Sequence, residues 1–258
     1  MEQYSKMIFT TSHKPKKEQI EKAYEYAKAY DGVYKNRRHI YKYINDEDFY
    51  FSIDKNNNLE IIWKNGKFFY HPSIAKIRYN NYEHTKDDYL IKSLTPCKED
   101  SILDLTYGLG SEALLLAAFS DNVIGLEGSY PIYIIVKEGL KNYNFPDNWM
   151  RKASKNIKIK NFNYKKYIYK QKENSFDLVY CDPMFENPQM KSASLNPLRR
   201  FAVYDQLDEK DIEQMYKICK KKVVIKARDK DSIWNWLKVD EKMGSSHSGV
   251  YYGVINKK

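Results

Sequence analysis

Short apolar runs that alternate with helical patterns dominate the sequence from residue 101 onward, and they restrict the fold more than any other feature. Five such runs lie at residues 101–105, 122–126, 156–161, 176–181 and 222–226. This alternation is typical of parallel strands whose sheet is covered by helices on both faces. Two late runs, at residues 239–243 and 249–255, have no helix between them. The sequence therefore predicts an α/β fold with a doubly wound, mostly parallel sheet of seven strands that ends in a hairpin.

The first 70 residues carry a different pattern. Their predicted elements are a strand, a helix and three further strands, at residues 7–10, 16–30, 49–53, 59–63 and 67–70. Asn65-Gly66 is a strong hairpin signal between the last two strands. Residues 73–94 have helical apolar spacing. We therefore predict a small N-terminal α/β module, a helical bridge and a main α/β domain, at residues 1–70, 71–95 and 96–258.

Two glycines follow the first strand of the main domain, in the segment Asp104-Leu-Thr-Tyr-Gly108-Leu-Gly110. Glycine lets the backbone turn and approach a bound cofactor closely where a strand leads into a helix. Residues 108–113 also match the dinucleotide pattern GxGxxA, so a nicotinamide-dependent oxidoreductase stays open as an alternative. Asp104 favours another cofactor, because a carboxylate at this strand end suits the methionine ammonium group of S-adenosylmethionine (SAM) better than a diphosphate. We expect Asp104, Gly108 and Gly110 to bind SAM.

Glu127 ends the second strand of the main domain, about 20 residues beyond the glycines. A ribose-binding acid follows a glycine loop at this spacing. The two carboxylate oxygens can accept hydrogen bonds from both ribose hydroxyls. We therefore expect Glu127 to bind the cofactor at the same edge of the sheet.

The fourth strand runs into Asp182-Pro183-Met184-Phe185, which resembles the (D/N)PP(Y/F) motif of amino-group methyltransferases. An exocyclic amine has its lone pair delocalised into the ring, so an enzyme must orient the nitrogen and accept its hydrogens as charge develops. Asp182 and the carbonyl of Pro183 can accept those hydrogens, and Phe185 can stack on a base drawn out of its helix. These three residues are the predicted catalytic group.

With these motifs in place, residues 101–254 resemble the RsmJ-type methyltransferases, which have the class I methyltransferase fold. The matching stretches lie at residues 104–117, 127–140, 182–185, 191–193, 199–201 and 223–228. The resemblance implies SAM-dependent N2 methylation of a guanine in small-subunit ribosomal RNA. It also implies cofactor contacts at Ser111, Glu112 and Gly128. Ser111-Glu112 and Glu127-Gly128 depart from the family pattern, which indicates a divergent branch.

Basic residues near the motif are the candidates for substrate binding. Arg199 and Arg200 end a long polar loop at residues 186–201, where they can pair with phosphates. Lys226 ends the fifth strand, where it can hydrogen-bond a guanine or a phosphate. Lys191 joins these candidates through the resemblance.

Composition favours a polyanionic partner. The formal net charge is +10, with 44 Lys and Arg against 34 Asp and Glu, and such an excess attracts nucleic acid. The three cysteines are widely spaced and match neither a disulfide framework nor a zinc motif, and no metal site is expected. No apolar run approaches the roughly 20 residues that cross a bilayer. We expect a cytoplasmic protein whose partner is ribosomal RNA or the small ribosomal subunit.

Three other functions stay open at this point. A nicotinamide-dependent oxidoreductase would use the same glycine loop, but nothing in the sequence supplies its acid–base group. A non-enzymatic RNA-binding protein could retain a degenerate methyltransferase fold, although Asp104, Glu127 and Asp182 are all present. A methyltransferase of this chemistry could also act on another amine, in DNA, protein or a small molecule.

Overall fold

A computed structural model describes residues 7–45, 48–184 and 196–258. The chain divides into two compact units. The first contains the residues up to 71 together with residues 134–143, and the second contains residues 72–133 and 144–258. The predicted domain boundaries at residues 70 and 95 stay a prediction.

The first unit is built on a mixed five-stranded sheet in the order β2-β1-β3-β4-β5. Its elements are β1 (Ile8–Thr11), α1 (Lys17–Ala29), β2 (Val33–Tyr34), β3 (Phe49–Ile53), β4 (Leu59–Trp63) and β5 (Gly66–Phe69). β1 is parallel to β2 and β3, whereas β3, β4 and β5 are antiparallel neighbours. The short edge strand β2 was not predicted, because two residues carry no detectable alternation.

The hairpin between β4 and β5 turns one residue earlier than predicted. Gly66 pairs with Trp63, so the connecting residues are Lys64 and Asn65 rather than Asn65 and Gly66. A Cβ at Gly66 would lie 2.5 Å from the Trp63 ring. Glycine is therefore required here by the close approach of that ring and not by the turn.

The second unit contains the predicted seven-stranded sheet, in the order β11-β12-β10-β9-β6-β7-β8. Its strands are β6 (Ser101–Asp104), β7 (Asn122–Glu127), β8 (Ile157–Asn161), β9 (Phe176–Cys181), β10 (Cys219–Arg228), β11 (Glu241–Ser245) and β12 (Val250–Asn256). The five strands β6 to β10 form the parallel part of the sheet, and β12 runs antiparallel to both β10 and β11. The prediction of a doubly wound, mostly parallel sheet ending in a hairpin is confirmed.

Helices flank the strands of this sheet along the chain. They are α2 (Ser73–Thr85), α3 (Tyr89–Leu94), α4 (Ser111–Leu116), α6 (Asn148–Ala153), α7 (Tyr164–Ile168), α8 (Asn196–Arg199) and α9 (Glu209–Ile218). The helix α5 (Tyr130–Asn142) begins in the second unit, and its residues from 134 onward belong to the first. One face of the sheet forms a continuous apolar core that includes Leu103, Val179 and Ile225 and reaches Met215 of α9. Parallel strands that are buried on both faces of a sheet have nearly uninterrupted apolar sequences, as these strands do.

The predicted helical bridge is two helices instead of one. Lys86 has a left-handed backbone (φ 52°) at the end of α2, which stops the helix. Asp88 then begins α3, because its side chain accepts hydrogen bonds from the backbone N–H groups of Leu90 and Ile91. α2 packs against α4, and α3 packs against β10 and β12.

Short 3₁₀ helices at Arg37–Lys42, Ser154–Asn156 and Ser232–Asn235 complete the described elements. Within the described ranges, no helix is long and apolar enough to cross a membrane.

Candidate active site

The glycine loop connects β6 to α4 at the carboxyl edge of the sheet. Gly108 and Gly110 have left-handed backbone angles, φ 54° and 73°. A Cβ at Gly110 would lie 2.4 Å from the Tyr107 ring, whereas a Cβ at Gly108 would meet nothing closer than 3.8 Å. Tyr107 itself is anchored, because its N–H donates to Leu126 O on β7 at 2.8 Å. The loop is therefore held in one conformation, with the backbone of Gly108 open to the neighbouring space.

Asp104 ends β6 and is almost completely buried. Its Oδ1 accepts a hydrogen bond from Thr106 N at 3.0 Å, and no donor in the described part of the chain reaches its buried Oδ2. Burial raises the pKa of Asp104 to about 8, and the charges of Glu112, Asp182 and Glu127 add to the rise. A cationic group on a bound molecule would supply the missing donor and favour the charged carboxylate.

Glu127 ends β7 and joins the glycine loop to the loop that follows β7. Its Oε2 accepts from Gly108 N at 3.0 Å, and its Oε1 accepts from Ser129 N at 2.7 Å. Burial raises the pKa of Glu127 to about 7, although these backbone donors oppose the rise. Each oxygen keeps a second lone pair, so the carboxylate can hold the loop and accept hydrogen bonds from a ligand.

A cleft of about 540 Å³, open to solvent, lies beside these residues. Gly108, Glu127 and Gly128 line one side, and Asp182, Pro183 and Met184 line another. Leu105, Leu126 and Ile132 make the walls largely apolar. The unpaired Oδ2 of Asp104, the open backbone at Gly108 and the acid at Glu127 fit the ammonium and ribose groups of SAM.

Asp182 follows β9 and belongs to a chain of alternating charges. Lys226 Nζ donates to Asp182 Oδ2 at 2.6 Å and to Glu112 Oε1 at 3.3 Å. Arg78 of α2 also contacts Glu112 Oε1, at 3.1 Å, and binds Asp88 through two hydrogen bonds of 2.8 Å. Three acids and two cations therefore connect Asp88 to Asp182. We call these five residues the charge network.

In three members of the charge network, the neighbouring charges oppose the effect of burial on the pKa. Burial opposes the charge on Lys226, but Asp182 and Glu112 outweigh it and raise the pKa of this lysine. Burial also raises the pKa of Asp182, and Lys226 opposes that rise. The pKa of Glu112 is lowered, because Lys226 and Arg78 overcome the effect of burial. Asp182 is also fixed through its backbone, since its N–H donates to Thr106 Oγ1 at 2.7 Å.

A second cleft opens on the side of the charge network. Glu112, Asp182 and Lys226 line it, with Gly108 and Arg199. Asp182, Pro183 and Met184 line both clefts. A molecule in one cleft can therefore meet a molecule in the other at the Asp182-Pro183 motif.

Most of the predicted site residues lie together at this edge of the second unit. Gly108, Glu127 and Gly128 line the first cleft, whereas Asp104 is buried at the end of β6 and Gly110 precedes α4, and neither of these two lines that cleft. Ser111 is buried at the start of α4 and lines the second cleft with Arg199, while Arg200 is exposed. Glu112 and Lys226 bind each other, which the sequence did not predict. Phe185 and Lys191 lie outside the described residues.

Sequence reasoning missed Arg78 and Asp88. They lie on α2 and at the start of α3, where no strand end or motif marks them. Thr106, which bonds Asp182 N, stands inside the recognised glycine segment and was found only from the structure. In residues 7–45, 48–184 and 196–258, no group of three or more His, Cys, Asp or Glu side chains could hold a metal ion.

Comparison with known proteins gives consistent matches. Residues 66–247 match the family described as "Putative SAM-dependent methyltransferase". A protein of Bacillus subtilis, described as "Uncharacterized protein YpiP", is 27% identical over 225 residues, which cover 85% of this chain and 88% of the relative. Ribosomal RNA small subunit methyltransferase J of Francisella tularensis is 28% identical over 169 residues, which cover 62% of this chain and 68% of the relative. The predicted resemblance to the RsmJ-type proteins is confirmed.

The fold also matches a solved structure over nearly its whole length. A SAM-dependent methyltransferase of Neisseria gonorrhoeae superposes with a TM-score of 0.66, covering 97% of this chain and 96% of the other, at 14% identity. That likeness supports the class I fold, and the family match identifies the cofactor as S-adenosylmethionine. The nicotinamide alternative is therefore set aside. The chain belongs to the SAM-dependent methyltransferase family.

Proposed function

We propose that this methyltransferase transfers a methyl group to the exocyclic N2 amine of a guanine in small-subunit ribosomal RNA. The observation that carries the proposal is Asp182-Pro183 at the junction of the two clefts, with the Asp182 carboxylate held by Lys226. An aromatic amine is a poor nucleophile, so its orientation contributes much of the rate. The net charge of +10 favours a polyanion as the molecule that carries the amine.

The cofactor-binding roles of Gly108, Glu127 and Gly128 follow from the first cleft, which they line, and those of Asp104, Gly110 and Ser111 follow from the sequence. Asp104 would bind the ammonium group of SAM through Oδ2, and Glu127 would accept from the ribose hydroxyls. Gly108, Gly110 and Gly128 would let the backbone approach, and Ser111 would contribute from the start of α4. SAM supplies an electrophilic methyl group when bound. Glu112, which the resemblance implied as a cofactor contact, acts in this proposal through Lys226.

The catalytic roles fall to residues at the junction. Asp182 accepts a hydrogen bond from the target amine and so directs the nitrogen lone pair away from the carboxylate. The carbonyl of Pro183 accepts the second amine hydrogen. Phe185 remains the proposed stacking partner for the flipped base, on the sequence motif alone.

Lys226 takes a positioning role in this proposal, in place of the direct substrate contact expected from sequence. Its ammonium group is bonded to Asp182 and Glu112, and it orients Asp182 toward the junction. Substrate binding is left to Arg199, Arg200 and Lys191, whose positive charges suit RNA phosphates.

The deciding experiment compares the modified nucleosides of ribosomal RNA, by mass spectrometry, in cells with and without the gene. The expected result is loss of N2-methylguanosine from small-subunit RNA only. Wild-type protein should restore it and Asp182→Ala should not. Loss of a different methylated amine would identify another nucleotide as the target. An unchanged set of ribosomal nucleosides would contradict a ribosomal RNA substrate.

A further inference from the structure

A third cleft adjoins the reaction motif on the side away from Glu127. It encloses about 530 Å³, open to solvent, between Pro183-Met184 and the turn that follows β10. Ile233, Leu207 and Trp236 provide apolar walls, Gln206 lies exposed at the rim, and Asp231 lies at the turn. Apolar and polar groups thus share the lining of this cleft, and a base needs both, for its ring faces and for its hydrogen-bonding edge.

Asp231 is the unusual member of this cleft. Its side chain is only 6% exposed. Oδ2 accepts from Arg228 N at 2.8 Å, and the backbone N–H of Asp231 donates to Arg228 O at 3.1 Å, so the turn fixes its position. Oδ1 is buried and accepts no hydrogen bond from any residue that the structure describes. A buried acceptor without a donor is unfavourable, and a ligand that supplies the donor removes this cost.

Two cations of this region, Arg228 and Lys242, bind other groups. The Arg228 guanidinium donates to Ser248 O at 3.4 Å. Lys242 pairs with Asp229 at 3.4 Å, on the outer side of the same turn. Asp231 therefore lines the cleft beside the reaction motif and keeps one buried acceptor oxygen without a donor.

The hydrogen-bonding edges of the bases determine which of them suits this acceptor. Guanine and uracil carry an N–H at the centre of the Watson–Crick edge, whereas adenine and cytosine carry a lone pair there. A carboxylate attracts the N–H of guanine and uracil and repels the lone pair of adenine and cytosine. Of guanine and uracil, only guanine has an exocyclic amine. The same acceptor therefore selects the one base that has both an imino hydrogen and an amine to methylate.

Pro183 lines all three clefts, so a base in the third cleft can place its amine at the junction of the other two. We infer that the third cleft is the base-recognition pocket and that Asp231 selects guanine by accepting a hydrogen bond from its N1–H. Gln206 can donate its amide hydrogen to guanine O6, and Trp236 and Ile233 provide apolar surface for the ring. The inference rests on the proposed function, because it presupposes that a guanine amine is the target.

The test replaces the target guanosine by 2-aminopurine in a synthetic RNA that carries the nucleotide identified by mass spectrometry. 2-Aminopurine keeps the N2 amine but has a lone pair at N1, and it also has a hydrogen in place of O6, so the Asp231→Asn variant is needed to assign the N1 contact. Wild-type enzyme should methylate it at least about 100-fold less efficiently, as kcat/KM, because the carboxylate faces a lone pair. Asp231→Asn can donate from its amide instead, so its preference for guanosine should fall below about 10-fold.

Asp229→Asn is the matched control, since Asp229 lies two residues away, is exposed and does not line the cleft. It should keep the wild-type preference. Equal methylation of both RNAs by the wild-type enzyme overturns the inference and leaves the proposed function standing. If the wild-type enzyme methylates neither RNA, the proposed function fails and the inference fails with it. The wild-type comparison needs no variant, so a folding defect in Asp231→Asn would not obscure the result.

Discussion

Lys226 Nζ lies 2.6 Å from Asp182 Oδ2, which joins the end of β10 to the loop after β9 through a charge-assisted hydrogen bond. Burial raises the pKa of Asp182, and Lys226 opposes that rise. The lysine thus favours an ionised Asp182, which is the form that accepts hydrogen bonds from an amine.

Replacing Lys226 by Met should lower kcat/KM by about 10- to 100-fold, because Asp182 loses both its orientation and its counter-charge. The acidic limb of the pH–rate profile should also move to higher pH, since the remaining factors raise the pKa of Asp182. Lys222→Met is the control on the same strand, where Lys222 bonds Thr95 Oγ1 at 2.9 Å. An unchanged pH profile in Lys226→Met would contradict the positioning role.

Arg78 is predicted to be a stability determinant. Its guanidinium connects Asp88 to Glu112 and is only 19% exposed. Arg78→Met leaves two partly buried carboxylates without this cation, which should lower the free energy of unfolding by about 3–5 kcal/mol. Urea denaturation measures the change. Lys76→Met, on the same helix, removes the more exposed pair with Asp147 and should lower the free energy of unfolding by about 1 kcal/mol or less. Equal losses of stability in the two variants would contradict a stabilising role of the charge network.

Much of the catalytic fold was predictable because parallel strands buried on both faces have uninterrupted apolar sequences. β9 has the bounds that its apolar run predicts, Phe176–Cys181. β10 is longer than predicted, Cys219–Arg228 instead of 222–226. Lysines at 220–222 interrupt its apolar pattern, although Cys219 still pairs with Phe176 of β9. Side-chain polarity thus hid the residues that were missed at the beginning of the strand.

The site residues also divide into those that the sequence predicts and those that it does not. Asp104, Glu127 and Asp182 stand at strand ends, and the carboxyl ends of parallel strands meet at one edge of a sheet. Arg78 and Asp231 reach the same region from a helix and a turn, where neither spacing nor motif distinguishes them. Their importance depends on tertiary contacts, which a single sequence does not reveal.

The stability of the protein without SAM should fall as the pH rises from about 5 to 8. Burial raises the pKa of Asp104 to about 8 and that of Glu127 to about 7, whereas both groups ionise near pH 4 in an unfolded chain. The folded state therefore binds more protons across this window, and stability is lost as those protons leave. Thermal melts should show a Tm decrease of at least about 3 °C.

Asp104→Asn should remove much of this pH dependence, because its amide does not ionise. Asp121→Asn is a suitable control, since Asp121 forms an exposed pair with Lys98. If Asp104→Asn kept the full slope of Tm against pH, Asp104 would not be the titrating group.

Glu127→Ala should weaken the binding of S-adenosylhomocysteine, the demethylated product, by about 1.5–3 kcal/mol, through lost charge-assisted hydrogen bonds. The same change removes the acceptor for Gly108 N and Ser129 N, so part of the loss comes from a looser glycine loop. Calorimetry gives the affinity, and methyl transfer should recover at saturating SAM. Glu173→Ala, at an exposed position, should bind normally. Unaltered affinity in Glu127→Ala would exclude the proposed ribose contact.

Asp182→Ala should lower turnover by orders of magnitude and leave the affinity for S-adenosylhomocysteine nearly unchanged. The reason is that the carboxylate stabilises the reacting nitrogen more than the bound cofactor. Asp182→Asn keeps an acceptor oxygen but loses the charge, so its turnover should lie between those of the wild type and Asp182→Ala. Single-turnover methylation of small subunits from cells without the gene separates this chemistry from binding. Full methylation by Asp182→Ala would mean that Asp182-Pro183 is a structural turn after β9, and the amine would have to be oriented by other residues.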